Sequence, residues 1–248
     1  MFYCTLRHMN FNPLSKIQPA PAWCSILALL LIFSSCNPRI AEGIRKNDLR
    51  KDIEMVTDSG TIVMRLSDST PLHRDNFIRL VNTRFYQGIS FHRVINGFMI
   101  QAGDPRSKKQ RDSALSPGDK IPAEIRGSMF HKKGVLAAAR EGDATNPTKA
   151  SSPTQFYLVQ GRVFTDAGLD SIETHRLKGR KILPAHRQVY KTIGGAPHLD
   201  QNYTIYGEVI SGLNVIDKIA SVKTSGKEGG DKPLGDVRII RTRMIRRK

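Results

Sequence analysis

Residues 91–105, FHRVINGFMIQAGDP, limit what this chain can fold into more than any other stretch. Asn96-Gly97 lies between two apolar runs, and Asn-Gly in that setting marks a β-hairpin because both central residues must accept positive φ. Arg93, Phe98, Met99 and Gln101 fall close together here. Gathered on one side they make a cation, an apolar wall and an amide, a patch that can grip a peptide but offers no nucleophile or metal site. A plain two-residue turn would put Arg93 with Phe98 and leave Met99 and Gln101 on the other face. The four converge only if the turn carries an extra residue, since a one-residue slip flips every side chain. Gly97 can supply that bulge by taking the left-handed conformation. The alternative is a half-buried hairpin whose Arg pairs with a carboxylate.

The 248 residues suffice for one large domain or two small ones. Charged residues make up 25% and the mean hydropathy is −0.35, the balance of a soluble, globular chain. The formal charge is +17; residues 1–35 contribute only Arg7 and Lys16, so the remainder carries 37 bases against 22 acids, or +15. Such a balance favours anionic partners without choosing among nucleic acid, headgroups and acidic polypeptides. The bases are scattered, with small clusters at Lys108-Lys109 and 241–248, which reads as a solvated face. Cys4, Cys24 and Cys36 all lie in the first 36 residues, so the body forms no internal disulfide and no cysteine-based metal site.

Residues 25–33, SILALLLIF, are too few to span a bilayer and suit a signal-peptide core. Ser34-Ser35-Cys36 ends the run in a pattern that resembles a bacterial lipobox, with Phe33 where Leu is usual. That resemblance implies cleavage before Cys36 and lipid on its thiol. Ordinary secretion or an uncleaved anchor is the alternative, and Met9 is a second possible start. The expected organisation is a signal peptide over 1–35, a lipidated tether over 36–50, and one domain over 51–248. The expected location is the bacterial cell envelope, facing the periplasm.

Along the body, alternating apolar residues on either side of Asp58-Ser59-Gly60 predict two strands over 51–66. Thr70 as N-cap and Pro71 at the first helical position open a helix with Phe77, Leu80 and Val81 inward, closed by Gly88. After the hairpin comes a polar loop over 106–120. Strands are predicted over 134–139 and 155–159, with a loop between them. Residues 162–197 break the β pattern and read as a mostly polar, partly helical surface insertion. Strand resumes at 198–200 and 203–209, a helix over 212–222 follows, and a strand over 237–245 closes the domain.

Taken together, FHRVINGFMIQAGDP, GVLAAA, TQFYLV and HLDQNYTIYGEVISGLNVID, in that order, resemble the cyclophilin family of peptidyl-prolyl isomerases. The likeness spans roughly 51–245, interrupted by the insertion. It implies a mainly β fold, a closed eight-stranded antiparallel barrel capped by two helices. It implies that Arg93 is the essential arginine, with Phe98 and Gln101 also catalytic. Met99, Ala139, Arg140, Gln155, Tyr157, His198, Leu199 and Tyr203 would complete the substrate site. Four positions depart from familiar members: Arg140 for Asn, Tyr157 for Phe, His198 for Trp and Tyr203 for His. Tyr157 adds a hydroxyl that needs a partner. The implied partners are proline-containing polypeptides and, through the lipid, a membrane; no nucleic acid is expected, and the chain is expected to be a monomer.

The chemistry asks little of such residues. Rotation about a peptide C–N bond meets about 18–20 kcal/mol of lost resonance, and no bond breaks. No cofactor or metal is therefore expected. No proton moves either, so His92 and His198 have no acid–base task. Two other classes remain open at this level: a chaperone that grips proline-bearing segments without turnover, and a basic surface that binds polyanions.

Overall fold

Alternation at two-residue spacing does most of the folding. In the computed structural model, which describes residues 41, 43–108 and 118–247, eight strands form one antiparallel sheet. The signal segment, Cys36 and part of the polar loop lie outside the described residues. The strands are β1 (Lys51–Thr57), β2 (Gly60–Leu66), β3 (Arg93–Ile95), β4 (Met99–Ala102), β5 (Val135–Ala138), β6 (Phe156–Val159), β7 (Ile205–Ser211) and β8 (Ile239–Arg246). Their spatial order is β3-β4-β6-β5-β7-β2-β1-β8. Ile53, Met55, Ile62, Met64, Ile100, Leu136, Phe156 and Leu158 point to the inside of the curl and are fully buried.

The barrel is curled rather than closed, which corrects the closure expected above. β3 and β8 end the sheet and share no ladder. β3 is short, and Val94 N–H donates to the Asp231 carbonyl of a loop instead (2.9 Å). The seam is stitched just before both strands: Ser90 bridges Arg238, and Phe91 N–H donates to the Val237 carbonyl (2.9 Å).

Two amphipathic helices cover the curl. Helix α1 (Pro71–Asn82) buries Phe77, Ile78, Leu80 and Val81. It stops short of Gly88, and turns carry the chain onward. Thr70 takes the N-cap place, but its hydroxyl makes no cap bond and is buried without a partner. The cap comes from far along the chain: Glu124 accepts from Leu72 N–H (3.2 Å) and His73 N–H (3.0 Å). The insertion folds into α2 (Asp166–His175) and α3 (Pro184–Thr192), which close over their own small core of Leu169, Leu177, Ile182 and Tyr190. Residues Pro197–Leu199 form a 3-10 turn, not the predicted strand. Proline there cannot donate to a ladder. Helix α4 (Leu213–Ala220) buries Val215, Ile216, Ile219 and Ala220.

Candidate active site

The hairpin carries the extra residue that convergence requires. Arg93 stands opposite Gln101, and Ile95 opposite Met99, so Asn96, Gly97 and Phe98 form the turn. Gly97 is left-handed, with φ 74°. Phe98 N–H donates to the Ile95 carbonyl (3.0 Å), and the Phe98 carbonyl accepts from Gln160 and Gly161. Gln160 also accepts from Gly97 N–H through its side chain (2.6 Å). The tip, and Phe98 with it, is therefore fixed from both sides.

Strand pleat then decides which residues meet. β4 sends Ile100 and Ala102 inward; Met99 lies in a second apolar cluster with Ala137, Ala139, Tyr157, Val159 and Leu199. The site lies on the outer face of the sheet, on a bed kept shallow by alanines. Arg93, Phe98, Met99, Gln101, Ala139, Arg140, Tyr157, Leu199 and Tyr203 line one cavity of roughly 200 Å³. Gln155 and His198 stand outside its wall. Gln155 instead accepts from Gln101 Nε2 (3.1 Å), orienting that amide. His198 packs against Phe98 with ring centroids 5.0 Å apart and lines a neighbouring cavity.

The two arginines of the pocket differ. Arg93 keeps 44% of its side chain exposed, and its Nε sits 3.4 Å from Asp231 Oδ2. Both readings of the hairpin thus hold at once: the guanidinium pairs with a carboxylate and still faces the cavity. Arg140 is spoken for. It donates to the Asn202 and Glu141 carbonyls (2.8 Å each), pairs with Asp143 at 2.7 Å and lies over the Tyr203 ring. The rim charge it brings is largely neutralised.

The Tyr157 hydroxyl finds its partner in His131 Nε2 (2.9 Å). His131 Nδ1 lies 2.9 Å from Asp200 Oδ1, and Tyr190 of α3 donates to Asp200 Oδ2 at 2.7 Å. With Nδ1 turned to Asp200, Nε2 is left to accept from the Tyr157 hydroxyl. Burial keeps Tyr157 protonated far above neutrality. The insertion therefore reaches the pocket through Tyr190, Asp200 and His131, a link its polar sequence did not suggest. Sequence reading missed these three and Asp231. A buried hydroxyl at 157 called for a partner without naming it, and nothing in the Gly- and Lys-rich loop around Asp231 singled that residue out. Burial first, then the nearby Arg176, holds the His198 pKa down to about 4, and burial also lowers that of His92. Both rings are neutral near pH 7.

The chain as a whole is similar to known proteins. A family model described as cyclophilin type peptidyl-prolyl cis-trans isomerase/CLD matches residues 52–244. A Staphylococcus haemolyticus protein assigned as a peptidyl-prolyl cis-trans isomerase is 30% identical over 201 residues, covering 81% of this chain and 93% of its own. A similarly assigned protein of Staphylococcus saprophyticus is 29% identical over 203 residues, covering 82% and 94%. A solved cyclophilin type isomerase of Cryptosporidium parvum shares the fold with a TM-score of 0.57 at 19% identity, covering 80% of this chain and 99% of that one. A second structure of that protein was solved in the presence of the dipeptide Ala-Pro, with a TM-score of 0.56.

Proposed function

The chain belongs to the cyclophilin type peptidyl-prolyl cis-trans isomerase family, and from that premise we propose that it turns X-Pro bonds of exported or envelope polypeptides, using Arg93 beside an apolar proline pocket. One observation carries the mechanism. The half-exposed Arg93 guanidinium lines the same cavity as Phe98, Met99, Tyr157 and Leu199. Among the described residues Arg93 hydrogen-bonds only through Nε, so its outer nitrogens are available to a substrate.

As the imide twists, the proline nitrogen becomes pyramidal and regains its lone pair. A fixed cationic donor aimed at that nitrogen binds the twisted form better than the planar one, which lowers the barrier. One preorganised donor supplies about 3–4 kcal/mol. A rate gain of about 10⁵ needs about 7 kcal/mol. The apolar walls supply the balance by holding the proline ring and stripping water from the nitrogen. Gln101, braced by Gln155, orients the substrate amide.

Arg93→Ala in the full chain is expected to lower kcat by about 100-fold or more while KM moves little, because the donor acts mainly in the twisted state. Protease-coupled turnover of proline tetrapeptides measures this. Unchanged kcat would remove Arg93 from the mechanism. The envelope assignment rests on the 25–36 segment, and Cys36→Ser is expected to move the protein from the membrane pellet to the soluble fraction. A variant that still pellets would end the lipid-anchor reading.

A further inference from the structure

The insertion builds a second cavity, roughly 360 Å³, against the far side of Phe98. Phe98 lines both cavities. Arg162 and Arg176 enter this one from the insertion, with Phe164 and Ile172 as apolar wall and His198 beside Phe98. Among the described residues no acidic side chain lines it.

The charge balance of the insertion is uneven in a telling way. Its acids are Asp166, Asp170 and Glu173. Arg187 pairs with all three, Lys181 with Glu173 and Lys191 with Asp166. Those carboxylates are consumed away from the cavity. Among the described residues neither Arg162 nor Arg176 has a carboxylate partner, and both are exposed. Arg162 is instead held over the Phe164 ring, 5.1 Å from its centroid. His198 feels both guanidinium charges and stays neutral near pH 7, so it neither adds to them nor cancels them. Lys181, Arg187 and Lys191 take up the insertion's carboxylates, and Arg180 donates to the Asp200 carbonyl. Lys178, which among the described residues also has no carboxylate partner, lies outside the cavity lining. Arg162 and Arg176 are the two cations left at the mouth of a hollow next to a peptide site, a place for an anion.

We propose that this cavity is a second substrate subsite, taking the carboxylate side chain of an Asp or Glu on the same polypeptide whose proline fills the first. The inference rests on the isomerase reading for the identity of the occupant. Two hollows sharing one aromatic wall put the acid within a few residues of the proline, each extended residue spanning at most about 3.3–3.6 Å. Phe164 and Ile172 would cover the methylene stem, favouring Glu over Asp.

The test is a tetrapeptide-to-octapeptide proline series in which Glu replaces Gln at each flanking position in turn, assayed on the full chain for turnover and, in parallel, for binding by fluorescence anisotropy. A Glu-over-Gln ratio in kcat/KM and in Kd of about five-fold at low salt is expected at one position, the scale of one or two partly exposed ion pairs. In Arg162→Ala/Arg176→Ala the ratio is expected to fall to about one, and in Arg162→Glu/Arg176→Glu a Lys peptide is expected to be preferred. Thermal unfolding checks that both variants fold. A ratio near one everywhere in the wild type overturns the proposal. So does a preference that survives the double substitution, which would trace it to the +17 chain as a whole. If no peptide turns over above the Arg93→Ala background, the isomerase reading fails instead, and the anisotropy ratio still decides the subsite.

Discussion

The guanidinium proposed to act on the twisted imide needs to be charged, aimed and still available, and Asp231 answers the second need. It grips Arg93 at Nε, while its carbonyl accepts from Val94 N–H beside it, so one loop residue ties down both the side chain and the strand that carries it. Asp231 has φ 57°, a conformation Asp tolerates better than most residues. The pair is part-exposed, so its strength is that of a surface ion pair, up to about 1 kcal/mol. Asp231→Ala is therefore expected to cut kcat by up to about five-fold, with KM little changed, as a loosened Arg93 samples unproductive orientations. Steady-state kinetics on a neutral proline peptide would show it. A loss confined to KM would mean that Asp231 shapes binding and not the aim of Arg93.

At the level of elements, the sequence disclosed whatever depended on local pattern. Alternation around Asp58-Ser59-Gly60 gave β1 and β2, helical spacing gave α1 and α4, and the bulge at Gly97 followed from asking four side chains to share a face. What stayed hidden depended on distant partners. Thr70 looks like the cap of α1, yet Glu124 does that work from another part of the chain. Glu124 is 7% exposed and also meets the His73 ring at 2.8 Å. Glu124→Ala removes a helix cap and strands buried donors at once, so a loss of about 2–4 kcal/mol is expected. Thr70→Ala, whose hydroxyl bonds nothing, is expected to cost far less. Urea denaturation of the two variants separates them, and equal losses would contradict Glu124 as the cap. The insertion eluded local reading in the same way. Its polar pattern predicted a surface appendage, but Tyr190 is fully buried and joined to the pocket through Asp200 and His131.

For the molecule as a whole, proton uptake couples stability to pH while sparing the pocket chemistry. His198 has an ordinary pKa of 6.5 and is held to about 4 in the fold, by burial first and then by Arg176 and His131, against the pull of Asp200. Between those values the unfolded chain binds the proton and the folded chain does not, so stability falls as pH drops from about 6.5 to about 4. His92, also lowered mainly by burial, adds to the same loss. The carboxylates act later. Arg106 holds Asp104 below the usual carboxylate range. Burial pushes Glu124 and Glu173 up, but the hydrogen bonds and charges around them, from His73 and Leu72 on Glu124 and from Lys181, Ile182 and Arg187 on Glu173, together hold both below it. The contributions of all three are lost only as pH falls through their depressed values. Acid should therefore weaken the protein in two stages, an imidazole stage above a carboxylate stage. Urea midpoints across this range test the assignment: His198→Gln is expected to flatten the upper stage and leave the lower one intact. An upper stage of the same slope in that variant would assign it to other groups. Isomerisation, which moves no proton, is expected to stay level across the upper stage for as long as the chain remains folded.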